Sequence, residues 1–271
     1  VSRVGNEDDG YDNMTAGLNL NYAVSNEHTL IANLRTVHYE NDYDGTDFAV
    51  TGLPTDTDNV TDGAQLSAKL RWEFAPNNTQ YRSALSAHYR KDENDNTESG
   101  VDAGGTTGER IELNWTSFYA IKNWDFAGGV EYLQRLFDQR GPINFGDPNQ
   151  KQHDNTYSVF AESNGQLTES LTATLSARYD NNSEFDNALS YRGGLSWQLN
   201  NHYTLFTSYG SAVKTPTFTE RFGFFPASFV GNPNLEPETS EEWEVGVKAN
   251  WKKVTGQISV YTAALEDEIN G

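Results

Sequence analysis

A chain of 271 residues with 39 acidic and 19 basic side chains carries a formal charge of −20, so nucleic-acid phosphate would repel it and nucleic-acid binding is excluded. Its 36% hydrophobic and 13% aromatic content argues against disorder, and its lack of cysteine removes disulfides, thiolate metal sites and a cysteine nucleophile. No run approaches the roughly 18 apolar residues of a transmembrane helix, which leaves membrane-crossing strands open because their signal per segment is far weaker.

In chain order the sequence reads as about twelve strands, at 12–23, 29–40, 63–75, 80–91, 109–120, 125–138, 155–166, 171–181, 187–199, 202–211, 240–251 and 254–266. The ground is period-2 alternation. In the third segment Ala64, Leu66, Ala68, Leu70, Trp72 and Phe74 share one face, while Gln65, Ser67, Lys69, Arg71 and Glu73 share the other. The eighth repeats the scheme with Leu171, Ala173, Leu175, Ala177 and Tyr179 against Thr172, Thr174, Ser176, Arg178 and Asp180. Each segment is long enough to cross a bilayer, which takes about 9–11 tilted residues.

The connections alternate in length. Short turns fall at Val24–His28, Pro76–Thr79, Ile121–Trp124, Leu167–Ser170, Asn200–Asn201 and Lys252–Lys253. Long polar loops are expected at 41–62, 92–108, 139–154 and 212–239, with a shorter one at 182–186. Sorting of this kind predicts an all-β fold, a transmembrane antiparallel up-and-down β-barrel with a periplasmic and an external rim in the bacterial outer membrane. Tyr22, Trp72, Phe74, Trp197 and Trp251 lie beside short turns, and Tyr89 and Tyr179 lie near the opposite strand ends, as aromatic girdles do. Lys69, Arg71, Glu73, Arg82, Arg90, Arg178, Arg192, Glu242 and Glu244 then face a lumen, because each would cost about 2–4 kcal/mol facing mid-bilayer lipid. The chain starts at Val1 and stops at Gly271 just after a strand, so it is expected to be an internal piece of a longer barrel.

The most specific stretch is Ser208-Tyr-Gly-Ser-Ala-Val-Lys-Thr-Pro-Thr217, then Gly231-Asn-Pro-Asn-Leu-Glu-Pro-Glu238 and the strand Trp243-Glu-Val-Gly-Val247. By residue chemistry alone, Pro233, Pro237, Gly231 and Asn232 make a rigid loop that launches a strand. In combination these pieces resemble the TonB-dependent outer-membrane transporters. That resemblance implies a barrel of roughly 22 strands with a plugged lumen, of which residues 1–271 supply about 12 strands. The plug and the first and last strands would be absent. It also implies outer-membrane lipid and lipopolysaccharide as surroundings, and TonB as a partner through a missing N-terminal segment.

Within that family the chain is most similar to the branch that carries cobalamin (vitamin B12). Asn6-Glu-Asp-Asp-Gly10, Asp42-Tyr-Asp-Gly45 and Asp62 carry the match. The resemblance implies structural calcium on the external loops, with Glu7, Asp9, Tyr43, Asp44 and Asp62 as ligands ordering 1–12 and 41–62. Glu7 replaces an aspartate of the pattern, and a further aspartate would lie before Val1. Calcium takes hard oxygens from carboxylates on flexible loops, so the chemistry is sensible without the resemblance. The alternative is a solvated acidic rim, expected in any case for Asp56, Asp58, Asp92, Glu93, Asp95 and Glu98.

Acidic pairs abound, so counting leaves a two-carboxylate glycosidase open, but carboxylates on exposed rim loops lack the burial that would split their pKa values. His28, His38, His88, His153 and His202 are scattered without metal-protease spacing, and no G-x-S-x-G elbow occurs. An enzyme is not expected. The expected function is TonB-dependent uptake of cobalamin. A ferric-siderophore receptor is the alternative within the family, and an ungated porin or barrel adhesin the alternative outside it; the 231–238 segment argues against the latter.

Overall fold

The computed structural model describes residues 9–47, 50–77, 80–143, 146–225 and 229–269. Twelve strands form one antiparallel sheet in chain order: β1 (Tyr11–Ala23), β2 (His28–Thr46), β3 (Pro54–Phe74), β4 (Tyr81–Glu98), β5 (Val101–Ile121), β6 (Trp124–Arg140), β7 (Gln150–Gln166), β8 (Leu171–Asn182), β9 (Ala188–Gln198), β10 (Tyr203–Lys214), β13 (Glu238–Trp251) and β14 (Val254–Glu266). Between β10 and β13 lie a short helix, α1 (Phe218–Phe222), and a two-stranded ribbon, β11 (Phe224–Phe225) with β12 (Phe229–Val230). Each strand of the large sheet pairs with its chain neighbour, the up-and-down pattern. The sheet is not closed on itself: β1 and β14 are its edges.

Register turns the alternation of single strands into continuous belts. Leu30, Trp72, Leu85, Trp115, Val130, Val159, Tyr179 and Leu189 are successive partners across eight strands. On the other face run Arg71, Ser86, Asn114, Glu131, Ser158 and Asp180. Among the described residues, Val37, Ala84, Phe137 and Ala173 are the buried hydrophobics, whereas Leu70 is 54% and Leu175 56% exposed. A soluble fold of this size hides such side chains in a core; here they form one outward surface that requires a lipid solvent.

Aromatic rings bracket that surface. Beside the short turns, His28 stacks on Phe74 at 4.8 Å, Trp72 donates its indole N–H to His28 Nδ1 at 3.1 Å, and Tyr203 meets Trp251 edge-on at 5.6 Å. Towards the other rim, Tyr132 packs on Tyr157 at 5.0 Å and Tyr191 on Tyr209 at 6.0 Å. Tyr81 and Tyr89 stand eight positions apart on β4. That is roughly 26 Å along the strand, or about 20 Å of membrane depth at a tilt of ~40°, which fits within the ~25 Å apolar band of such barrels.

The outer connections differ from expectation. Residues 41–46, 54–62, 92–98, 101–108, 139–140 and 150–154 continue the strands, so β2 to β5 run to 18–21 residues, and β4 and β5 meet in a tight turn at Ser99–Gly100. The external rim is therefore built of projecting hairpin arms, with long loops kept at 141–149 and 215–237. The reason is physical: beyond the membrane both faces of a strand meet water, so the apolar–polar alternation stops while the backbone ladder continues. Bulges at Tyr43/Gly45 and Asn96/Thr97 mark where the arms bend.

Candidate functional site

The inner face carries paired charges. Arg178 on β8 donates to Glu131 on β6 at 2.8 Å, to Ser158 on β7 at 2.7 Å and to Asp180 at 2.9 Å, tying three strands together. Arg71 pairs with Glu73, Arg90 with Asp92 and Arg110 with Glu112, each two residues apart on one strand and hence on one face. Exposed pairs of this sort contribute about 0–1 kcal/mol each, so their consequence is a lumen wall that is charged but locally neutralised.

Above this layer, the described part of 215–237 seats on the inner face of the β6–β7 arm and forms a strap. Its start is fixed locally: Thr217 accepts from the Glu220 N–H at 3.1 Å and Glu220 accepts from the Thr217 N–H at 2.7 Å, a reciprocal cap on α1. The Thr217 N–H holds the Glu220 carboxyl below its ordinary range, with Lys214 adding to the effect. Pro216 just before it is fully buried.

The strap then docks at four points. Phe218 stacks on Phe137 at 5.9 Å, with the Arg135 guanidinium 5.5 Å over the Phe218 ring. Arg135 is held in place by both carboxylate oxygens of Asp154, which is 1% exposed. Gln139 Nε2 donates to the Phe224 carbonyl at 2.7 Å while its Oε1 accepts the Phe224 N–H at 3.2 Å, and Gln150 donates to the Phe222 carbonyl. The Phe224 ring covers Gly146, whose φ of 133° suits glycine and where a Cβ would strike that ring. Over the short β8–β9 turn, Arg221 lies 4.8 Å from the Phe185 ring and 3.6 Å from Glu184.

The residues singled out for calcium are distributed as follows. Glu7 lies outside the described residues. Gly10 donates to Asp42 Oδ2 at 3.3 Å and accepts the Asp42 N–H at 2.9 Å, so the 1–12 and 41–62 stretches do meet. The register carried one step further sets Asp9 beside Tyr43 on the inner face. Asp44 occupies the bulge. Asp62 pairs with Glu40 on the outward face, 3.7 Å from His38. Tyr43 and Asp62 are thus on opposite faces, and among the described residues no three acidic or histidine side chains gather as a metal ion would need.

Other rim acids have partners of their own. Arg140 bridges Asp95 at 2.8 Å and Asp102 at 2.6 Å on the outward face. The Gly104 N–H, and then Arg140, holds the Asp102 carboxyl below the usual carboxylate range. Parity along the strands marks Arg135, Gln139, Gln150 and Asp154 as inward-facing. Nothing in the sequence signals that Gln139 meets Phe224, 85 residues further on.

Comparison with known proteins extends the picture. The family described as TonB dependent receptor-like, beta-barrel, matches residues 2–270. The vitamin B12 transporter BtuB of Vibrio vulnificus is 31% identical over 163 residues, 59% of this chain and 25% of that protein. The siderophore receptor PirA from Acinetobacter baumannii superposes with a TM-score of 0.77 at 19% identity, over 96% of this chain and 44% of that one. PirA from Pseudomonas aeruginosa gives 0.78 at 15% identity, over 94% and 46%. The chain therefore spans less than half the length of these relatives, and at such identities the two receptors speak to fold alone.

Proposed function

We propose a role that starts from one premise: the chain belongs to the TonB-dependent receptor-like β-barrel family. It is an outer-membrane protein, and members of that family are receptors and transporters rather than enzymes. The reading is that residues 1–271 supply consecutive strands of a larger barrel, that the whole protein takes up cobalamin with TonB as energising partner, and that lipopolysaccharide and lipid surround the outward belt. Sequence likeness to a vitamin B12 transporter supports the cargo.

The observation that carries selective intake, against an open pore, is the strap. Part of the outer mouth is built over by a segment fastened to the inner wall through Phe218, Phe222 and Phe224. A segment seated over part of the mouth narrows it and adds side chains that can touch a cargo, which a receptor that must enclose one cargo requires.

Calcium on Glu7, Asp9, Tyr43, Asp44 and Asp62 is a separate proposal, and no step of intake is routed through it. It is tested by adding a chelator, and by Asp44→Ala, to the full-length protein in liposomes: weakened cobalamin binding supports it, and unchanged binding removes it.

The test of the main reading is direct binding to the full-length protein in proteoliposomes. Saturable cyanocobalamin binding that excess ferric enterobactin leaves intact is the expected result. Binding of the ferric siderophore with none of cyanocobalamin would replace the cargo, and leakage of unrelated solutes without saturation would replace the class.

A further inference from the structure

The rim is acidic, yet its charges are not distributed evenly between its two faces. On the β2–β5 arms, Glu40, Asp62, Glu93, Asp95 and Glu109 all occupy outward positions, as their register with one another and with the apolar belt shows, and Asp56 and Asp58 are exposed on β3 beyond Asn59. Inward, above the Arg90–Asp92 and Arg110–Glu112 pairs, β2–β4 present Tyr39, Asn41, Tyr43, Thr61, Asn94 and Asn96, uncharged until Glu98 at the hairpin tip, with Asp9 of the preceding segment beside Tyr43 at one edge.

This neutral wall is preformed. Tyr39 reaches across Gly63, whose missing side chain leaves room for the ring, and donates to Asn94 Oδ1 at 2.5 Å; Thr61 donates to Asn96 Oδ1 at 2.7 Å. In both contacts the asparagine carbonyl is used and its amide N–H groups are left to face the lumen. The strap covers the inner face of the neighbouring β6–β7 arm, whereas no described residue of the strap contacts the inner face of β2–β4.

We propose that the inner face of the β2–β5 arms, centred on Tyr39, Tyr43, Asn94 and Asn96, is a recognition surface for an uncharged organic cargo rich in amide or hydroxyl groups. Asparagine amides and tyrosine hydroxyls supply both donors and acceptors, and the tyrosine rings offer flat apolar contact. Tyr39, Asn41, Tyr43, Thr61, Asn94 and Asn96 offer a polyanionic cargo no cation, while a neutral one needs none. This deepens the uptake reading and rests on it.

The experiment uses the full-length protein in proteoliposomes with cyanocobalamin, its monocarboxylate derivative and ferric enterobactin as probes. The variant Asn94→Asp with Asn96→Asp keeps the oxygens that Tyr39 and Thr61 donate to, so the wall holds its shape while gaining charge. Loss of affinity for cyanocobalamin by about tenfold or more is expected, since burying a carboxylate against neutral cargo is unfavourable. Wild-type protein should prefer the neutral probe over the monocarboxylate. Glu93→Gln, on the outward face, should leave affinity unchanged. If the double variant does not insert, Asn41→Asp makes the same test. Cyanocobalamin binding by wild type with no response to these inward substitutions overturns the wall and spares the uptake reading. Wild-type binding of ferric enterobactin with none of cyanocobalamin overturns both.

Discussion

The side chain of Gln139 acts as a piece of β-strand for Phe224: its amide donates to the Phe224 carbonyl and its carbonyl accepts the Phe224 N–H, at 2.7 and 3.2 Å. One residue of the wall thereby satisfies both backbone groups of a strap residue that also pairs with Val230 in the β11–β12 ribbon. The strap is consequently a fixed part of the rim, and Gln139→Ala leaves two polar groups to water or to burial. Net losses of about 1–3 kcal/mol are the scale for such groups. The expected outcome is faster amide hydrogen exchange across 218–225 in Gln139→Ala, with exchange in β3 and β4 unchanged.

Asp154 presents an unequal pair of substitutions. It is 1% exposed and holds Arg135 against Phe218. Asp154→Ala strands a guanidinium among rings and should cost on the order of 3–5 kcal/mol, whereas replacing Arg135 and Asp154 together by Met and Leu should cost much less. Thermal unfolding of the reconstituted protein distinguishes the two, and equal losses would contradict the account.

Glu220 makes the strap sensitive to acid. Its carboxyl sits below its ordinary value of 4.5 because the Thr217 N–H bonds to the charged form. A depressed folded-state value means the stabilisation is present above 4.5 and is lost as pH falls through the lower folded value. Exchange protection of 217–223 should accordingly hold from neutral pH down to about 4.5 and fall off below it, and Glu220→Gln should flatten the profile.

Gly63 should tolerate no side chain. A Cβ there would collide with the Tyr39 ring, while one at Gly108 meets nothing within 4 Å. Gly63→Ala is expected to displace Tyr39 from Asn94 and weaken cyanocobalamin binding, with Gly108→Ala as the silent control in the same assay.

How far the sequence alone reached differs along each strand. Within the membrane, Leu66 to Phe74 against Gln65 to Glu73 could be assigned to faces outright, because lipid and lumen impose opposite chemistry on alternate positions. Past Asp62 that contrast ends. Asp56, Asp58, Gly104 and Gly105 have loop-like composition, yet the structure keeps them in strands, where the ladder partners supply what hydrophobicity no longer does. The strap was legible as a rigid Pro- and Asn-containing loop, but its seat depends on Phe218, Phe222 and Phe224 meeting Arg135, Gln139 and Gln150, contacts between distant segments that carry no period. The candidate calcium ligands were chosen by resemblance, and resemblance gave no warning that Tyr43 and Asp62 stand on opposite faces.

The central claim, that one face of this wall meets lipid and the other the lumen, is open to a single measurement. The chain holds no cysteine, so single cysteines at 65–72 of β3 can be introduced one at a time in the full-length protein and nitroxide-labelled in liposomes. Labels at 66, 68, 70 and 72 should collide with oxygen from the bilayer, and labels at 65, 67, 69 and 71 should not, giving a two-residue period. Uniform accessibility along β3, or oxygen reaching the Lys69 and Arg71 positions ahead of Leu70 and Trp72, would contradict it.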